Sequence, residues 1–134
     1  QGPVVLLEPR WLLDRALRTI EPLPLGAARV IRTGDHCSLL CWGEGVQAAR
    51  QAADTLSTEG IEAGVIDLRS LSPLDTPVLT QAVSSSGRAI LVGAPSGLLD
   101  TILSSAFLRL ESPPATCPPR TNSIVDTARQ SVFY

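Results

Sequence analysis

Apolar residues along this chain fall into short blocks: Val4 to Leu7, Ala28 to Arg32, Cys37 to Trp42, Ile61 to Leu68, Ala89 to Val92 and Ala115 to Cys117. Each is short and is bounded by Gly, Pro or charged residues, the pattern of strands buried in a sheet. The last block is limited by Pro118-Pro119, which suits an edge. Between the blocks the spacing changes from continuous to helical. Val46, Ala49, Ala53 and Leu56 share one face of a helix predicted over Val46–Glu59, with Arg50, Asp54 and Thr58 on another, and Gly60 is placed to end it in a left-handed conformation. Pro77–Ser84 carries Val78, Leu79, Ala82 and Val83 on one side. Leu98–Leu110 is apolar on most sides, so something besides its own sheet is expected to cover it. Trp11–Ile20 has helical spacing, and Ser123–Tyr134 reads as a short helix or irregular tail.

Strands alternating with helices of about 10 to 15 residues predict a mostly parallel sheet with right-handed crossovers. Thr33-Gly34-Asp35 is a tight turn, so the strands on either side of it are expected to be antiparallel neighbours or nearly so. The predicted fold is α/β: a three-layer α/β/α open mixed sheet, mostly parallel with one antiparallel strand. Glu21-Pro22-Leu23-Pro24-Leu25-Gly26 cannot hold a helix or central strand, because its prolines remove donors and fix φ. It divides the chain into residues 1–25, the end of a preceding domain or a linker, and residues 26–134.

The densest stretch is Asp67-Leu68-Arg69-Ser70-Leu71-Ser72-Pro73-Leu74-Asp75. Asp67 and Arg69 emerge at the carboxyl end of a buried strand, where open α/β sheets carry function. Their i, i+2 spacing puts them on one face, able to pair with each other or with a partner chain. Pro73 fixes the corner and holds Ser72 extended, and Asp75 is positioned to cap the next helix.

Composition narrows the options. At 134 residues the chain is long enough to bury roughly two thirds of its unfolded surface. The net charge of −2 is spread over single residues, so no basic stripe invites nucleic acid. No run is apolar enough to suggest a membrane span. Cys37, Cys41 and Cys117 have neither zinc nor disulfide spacing and read as reduced core thiols of a cytoplasmic protein. All eleven basic residues are Arg, which excludes a lysine Schiff base. Methionine is absent, and an apolar strand opens the chain, so it reads as a piece of a longer polypeptide or a chain whose start was removed.

Candidate chemistry is sparse. Gly43-x-Gly45-x-x-Ala48 follows a strand and opens a helix, with Asp67 about 24 residues on at the end of the next strand. That is the layout of a dinucleotide site built from Gly43, Gly45 and Asp67, although Glu44 puts a carboxylate among the amides. His36, the only histidine, sits beside Asp35 in a turn, but no nucleophile is placed to use it. No catalytic residue or metal-ligand set is predicted.

The run Pro24-Leu25-Gly26, Ala28 to Asp35, the strand ending Trp42-Gly43, and Val65 to Asp75 resembles the C-terminal domain of the transketolase superfamily. It is most like that of the beta subunit of thiamine diphosphate-dependent pyruvate and branched-chain 2-oxoacid dehydrogenases. Gly2 to Pro9 resembles the end of that family's preceding pyrimidine domain. The resemblance implies an association role, with self-association or docking to thiamine diphosphate-binding alpha or pyrimidine-domain chains. Thiamine diphosphate and magnesium are implied for the parent system, bound between a pyrophosphate and a pyrimidine domain, with no ligand among these residues and no catalysis by this chain alone. Asp67, Arg69, Pro73, Asp75, Leu103 and Phe107 are the expected structural and interface positions. After Val92 the family's acidic pair and Gly-Gly-Phe-Gly-like stretch give way to Gly93-Ala94-Pro95-Ser96-Gly97-Leu98-Leu99-Asp100. The alternative function is a small dinucleotide-binding module.

Overall fold

The computed structural model describes residues 24–93 and 95–133, together with positions 2, 3, 5, 10 and 22. Of the expected strand Val4–Leu7 only position 5 is among the described residues, and the helical segment Trp11–Ile20 lies outside them. The strands are β1 (Arg29–Arg32), β2 (Cys37–Cys41), β3 (Ala63–Asp67), β4 (Ala89–Val92) and β5 (Ala115–Cys117). The helices are α1 (Gly45–Thr58), α2 (Thr76–Ser86), α3 (Ser96–Ala106) and α4 (Thr121–Phe133).

The five strands form one sheet in the order β1-β3-β2-β4-β5. β2 pairs in parallel with β3 and β4, and β4 with β5, whereas β1 runs antiparallel to β3. The α/β mixed sheet with one antiparallel strand is therefore the fold predicted. β1 and β2 do run antiparallel, but they are nearly rather than directly neighbours, because β3 lies between them and takes the pairing with β1. The reason is visible at the turn. A Cβ on Gly34 would lie 2.3 Å from the Gly64 amide nitrogen, so two glycines let the β1 exit pass directly over the start of β3. His36 closes this crossing, since its amide donates to the Glu62 carbonyl at 3.0 Å and its Nδ1 accepts from the Glu62 amide at 2.9 Å.

Two apolar clusters sandwich the sheet. On one face Leu39, Cys41, Val65 and Ile90 meet Ala49, Ala53 and Leu56 of α1 and Ile124, Val125 and Ala128 of α4. On the other, Leu40, Ile66 and Leu91 meet Leu79 and Val83 of α2 and Leu98 and Ile102 of α3. The alternation of neighbouring strand residues between the two clusters follows from the period of two along a strand. The chain tail is a full helix, α4, and it packs against α1. The helix expected over Leu98–Leu110 stops at Ala106 and continues as a tighter 3₁₀ turn over Phe107–Arg109.

Candidate functional site: the carboxyl edge of the sheet

The parallel strands all point their carboxyl ends to one edge, where β2 gives way to α1, β3 to the Asp67–Asp75 corner and β4 to α3. The order of strand addition reverses between β2 and β4, with β3 laid on one side of β2 and β4 on the other, the position at which open α/β sheets form their crevice. Three pieces of geometry occupy this edge.

The corner comes first. Asp75 acts twice: its Oδ1 accepts the Val78 amide at 3.3 Å, capping α2, and its Oδ2 accepts the Ala28 amide at 2.9 Å. One carboxylate thus ties the helix start to the entry of the edge strand β1. Pro77 sits in the first turn of α2, where no amide donor is needed. The Ser72–Pro73 peptide bond is cis, and the Pro73 ring lies where a Cβ on Gly26 would be 2.8 Å away. Pro73 and Asp75 thus both lie against residues 26–28, which lead into β1.

Asp67 and Arg69 do not pair as their spacing suggests. Arg69 has φ 54°, so the strand alternation ends before it, and no Asp67–Arg69 ion pair forms among the described residues. Instead Asp67 Oδ1 accepts the Arg69 amide at 3.1 Å. Partial burial pushes the Asp67 carboxyl above its ordinary range, against the opposing pull of that hydrogen bond and of Arg69 and Arg29. Arg29 stands directly across the β1–β3 ladder from Asp67.

The glycine turn is the third piece. Gly43 has φ 53° and open space around it, as a ligand-approaching backbone needs. Gly45 is different: a Cβ there would lie 3.2 Å from Val92 Cγ1 and 3.6 Å from Pro119, so its smallness serves packing. The Gly45 amide donates to the Trp42 carbonyl at 3.0 Å and the Val46 amide to the Gly43 carbonyl at 3.4 Å. Donors that would cradle a diphosphate are thus already engaged, and Glu44 stands at the N-cap of α1. This donor set does not fit a diphosphate. A cleft of about 250 Å³ between Trp42, Glu44, Val92, Gly93 and Pro119 remains, with the Trp42 indole donating to the Gly93 carbonyl at 2.9 Å.

The cysteines are buried and free. Burial pushes Cys37 up to about 11 and Cys41 up to about 12, and raises Cys117, so none is a thiolate nucleophile near neutral pH. No group of three or more His, Cys, Asp or Glu side chains among the described residues is placed to share a metal ion. No helix there is long and apolar enough to cross a membrane.

Away from this edge, Leu103 of α3 is 36% exposed, Phe107 66% and Leu108 94%. Periodicity alone points to Leu103 and Phe107. Leu108 joins them because α3 changes to a 3₁₀ turn, and the only signal for that was the unbroken apolar run Ala106-Phe107-Leu108. Arg29 was also missed, since its meeting with Asp67 depends on a strand pairing that sequence separation hides.

The fold and its Asp67–Asp75 corner define a class. Residues 26–116 match the family "Transketolase, C-terminal domain", and the chain belongs to that family. It is 30% identical, over 99% of its length, to 2-oxoisovalerate dehydrogenase subunit beta 2, mitochondrial, of Arabidopsis thaliana, and covers 44% of that protein. It is 37% identical, over 83% of its length, to the pyruvate dehydrogenase E1 component subunit beta of Bacillus subtilis (strain 168), of which it covers 38%. The chain therefore spans less than half the length of these curated relatives. Among solved structures it superposes on a split-gene transketolase, described as an inactive beta4 tetramer, with TM-score 0.75 and 17% identity, covering 89% of this chain and 45% of that one. That likeness shows the shared fold.

Proposed function

We propose that this chain supplies the C-terminal association domain, residues 26–134, of a 2-oxoacid dehydrogenase beta subunit or a transketolase-like enzyme, with residues 1–25 as the end of the preceding unit. It mediates subunit assembly, and thiamine diphosphate and magnesium are held by other domains. One observation carries this reading: Leu103, Phe107 and Leu108 form an exposed apolar row on α3 and the turn after it, while Leu98, Ile102 and Ala106 of the same helix are buried. A row of large apolar side chains is the feature expected of a contact surface. The beta4 assembly of the split-gene transketolase supports it by analogy. The engaged amides at Gly45 and Val46 support the reading that the diphosphate lies elsewhere. The buried free thiols suit a reducing compartment such as the cytoplasm.

The test is mass by light scattering for the chain and for the double variant Leu103→Ala/Phe107→Ala. A lower mass for the variant is expected; an unchanged oligomer removes α3 as the contact. Copurification with pyrimidine- and pyrophosphate-domain chains identifies a partner other than a second copy. The dinucleotide reading through Gly43, Gly45 and Asp67 ranks below this one, and calorimetric titration with NAD is expected to give no saturable heat.

A further inference from the structure

The Asp67–Arg69 corner contains an uncommon backbone feature. Arg69 is, among the described residues, the one non-glycine with a positive φ, at 54°. A side chain in that region is disfavoured and is retained where the surroundings impose it. Here the imposing contact is local: the Asp67 carboxylate takes the Arg69 amide and holds the turn. The same carboxylate forms no ion pair with the Arg69 side chain, which is exposed. So the turn determines where the guanidinium emerges, and Asp67 does not clamp it.

A second arginine, like Arg69, acts on the Asp67 carboxyl. Arg29 faces Asp67 in the antiparallel ladder, where opposed residues share a face with Cβ atoms about 4.5–5.5 Å apart. Arg29 is exposed, lies on the edge strand of the sheet, and closes no ion pair among the described residues. By contrast Arg32 is held by Asp54 and Glu62, Arg88 by Glu111, and Arg129 by Glu59 and Asp126. Arg29 and Arg69 both act on the half-buried Asp67 carboxyl, and neither closes an ion pair among the described residues, at an accessible sheet margin.

We propose that Arg29 and Arg69 form a receptor for a carboxylate, presented by an acidic side chain of a second polypeptide. Two guanidinium groups suit a carboxylate because each supplies paired donors in the plane that its two oxygens require. The assembly reading above supplies the source of the acid, but the receptor itself is testable without it.

The full chain, labelled with ¹⁵N at arginine, is titrated with N-acetyl-glutamate N-methylamide, and the Nε–H resonances are followed. Arg29 and Arg69 are expected to shift together and saturate with a Kd on the order of 10 mM, the scale of a few charge-assisted hydrogen bonds in water. The matching glutamine compound is expected to leave them unmoved. Arg50 and Arg120, also exposed, serve as internal controls with linear, non-saturating shifts. Arg29→Gln is expected to weaken binding about fivefold. Arg69→Gly should abolish saturation yet leave Tm unchanged or raised, because glycine adopts this φ freely. Three outcomes overturn the proposal: linear shifts at Arg29 and Arg69 like those of the controls, tighter binding of inorganic phosphate than of the glutamate compound, or a lower Tm for Arg69→Gly. If the chain proves monomeric and the titration still saturates, the assembly reading fails while the receptor stands.

Discussion

α1 and α3 are both amphipathic helices laid on the same sheet, one on each face, yet they end in different states. α1 buries Ala49, Ala52, Ala53 and Leu56, and α4 closes along its flank. Its outward residues are polar, and Asp54 takes Arg32 at 3.2 Å. α3 buries Leu98, Ile102 and Ala106 with α2 alongside, but Leu103, Phe107 and Leu108 remain in solvent. The contrast separates what the fold needs from what it leaves over. A helix whose apolar residues are all consumed by its own domain contributes stability. One with apolar residues to spare has a surface that the domain alone does not explain.

Substitutions widen or erase that contrast, beginning with the strongest. Leu56→Ala removes a fully buried side chain from α1, so urea unfolding should show a loss of about 2–5 kcal/mol. Asp75→Ala deletes the α2 cap and leaves the Ala28 amide without its acceptor, with an expected loss of about 1–3 kcal/mol in the same measurement. Asp75→Asn should recover part of it, since an amide oxygen still accepts one of the two bonds. Phe107→Ser on α3 should change stability by no more than about 0.5 kcal/mol while lowering the oligomer mass. A large stability loss there would mean α3 is as internally committed as α1, and the comparison would fail.

The smallest expected effect concerns pH. The Arg129 hydrogen bonds hold the exposed Glu59 carboxyl below its ordinary value. A carboxyl lowered on folding adds stability above its unfolded pKa of about 4.5, and that stability is lost as pH falls through the folded value. Denaturation curves for Arg129→Gln should therefore converge on those of the parent below about pH 4 and lie slightly beneath them at pH 7. Curves that stay parallel across that range would remove Glu59 as the cause.

Much of this architecture is legible from residue order. Continuous apolar blocks give β2, β3 and β4, the Pro118-Pro119 stop marks β5 as an edge, and Asp75 with Pro77 announces α2 and its cap. Local signals sufficed there because each element is defined by its own residues. The insertion of β3 between β1 and β2 is a long-range matter: Gly34 must lie against the Ala63–Gly64 backbone for the crossing to occur, and nothing near Gly34 in the sequence reveals that partner. At the candidate site the same division holds. Asp67 and Arg69 stand out as charges at a strand end, but the positive φ of Arg69 and the arrival of Arg29 beside Asp67 depend on the turn and on strand pairing. The apolar surplus of α3 is legible at Leu103 and Phe107, and the 3₁₀ turn adds Leu108.

The seating of β1 beside β3 also orders events in time. During synthesis from the amino terminus, residues 29–32 leave the ribosome before the strand they need, and the Asp75 carboxylate that fastens Ala28 follows later still. β1 is therefore made before its partner and its fastening carboxylate, and until residue 75 has emerged it waits with its backbone donors in water.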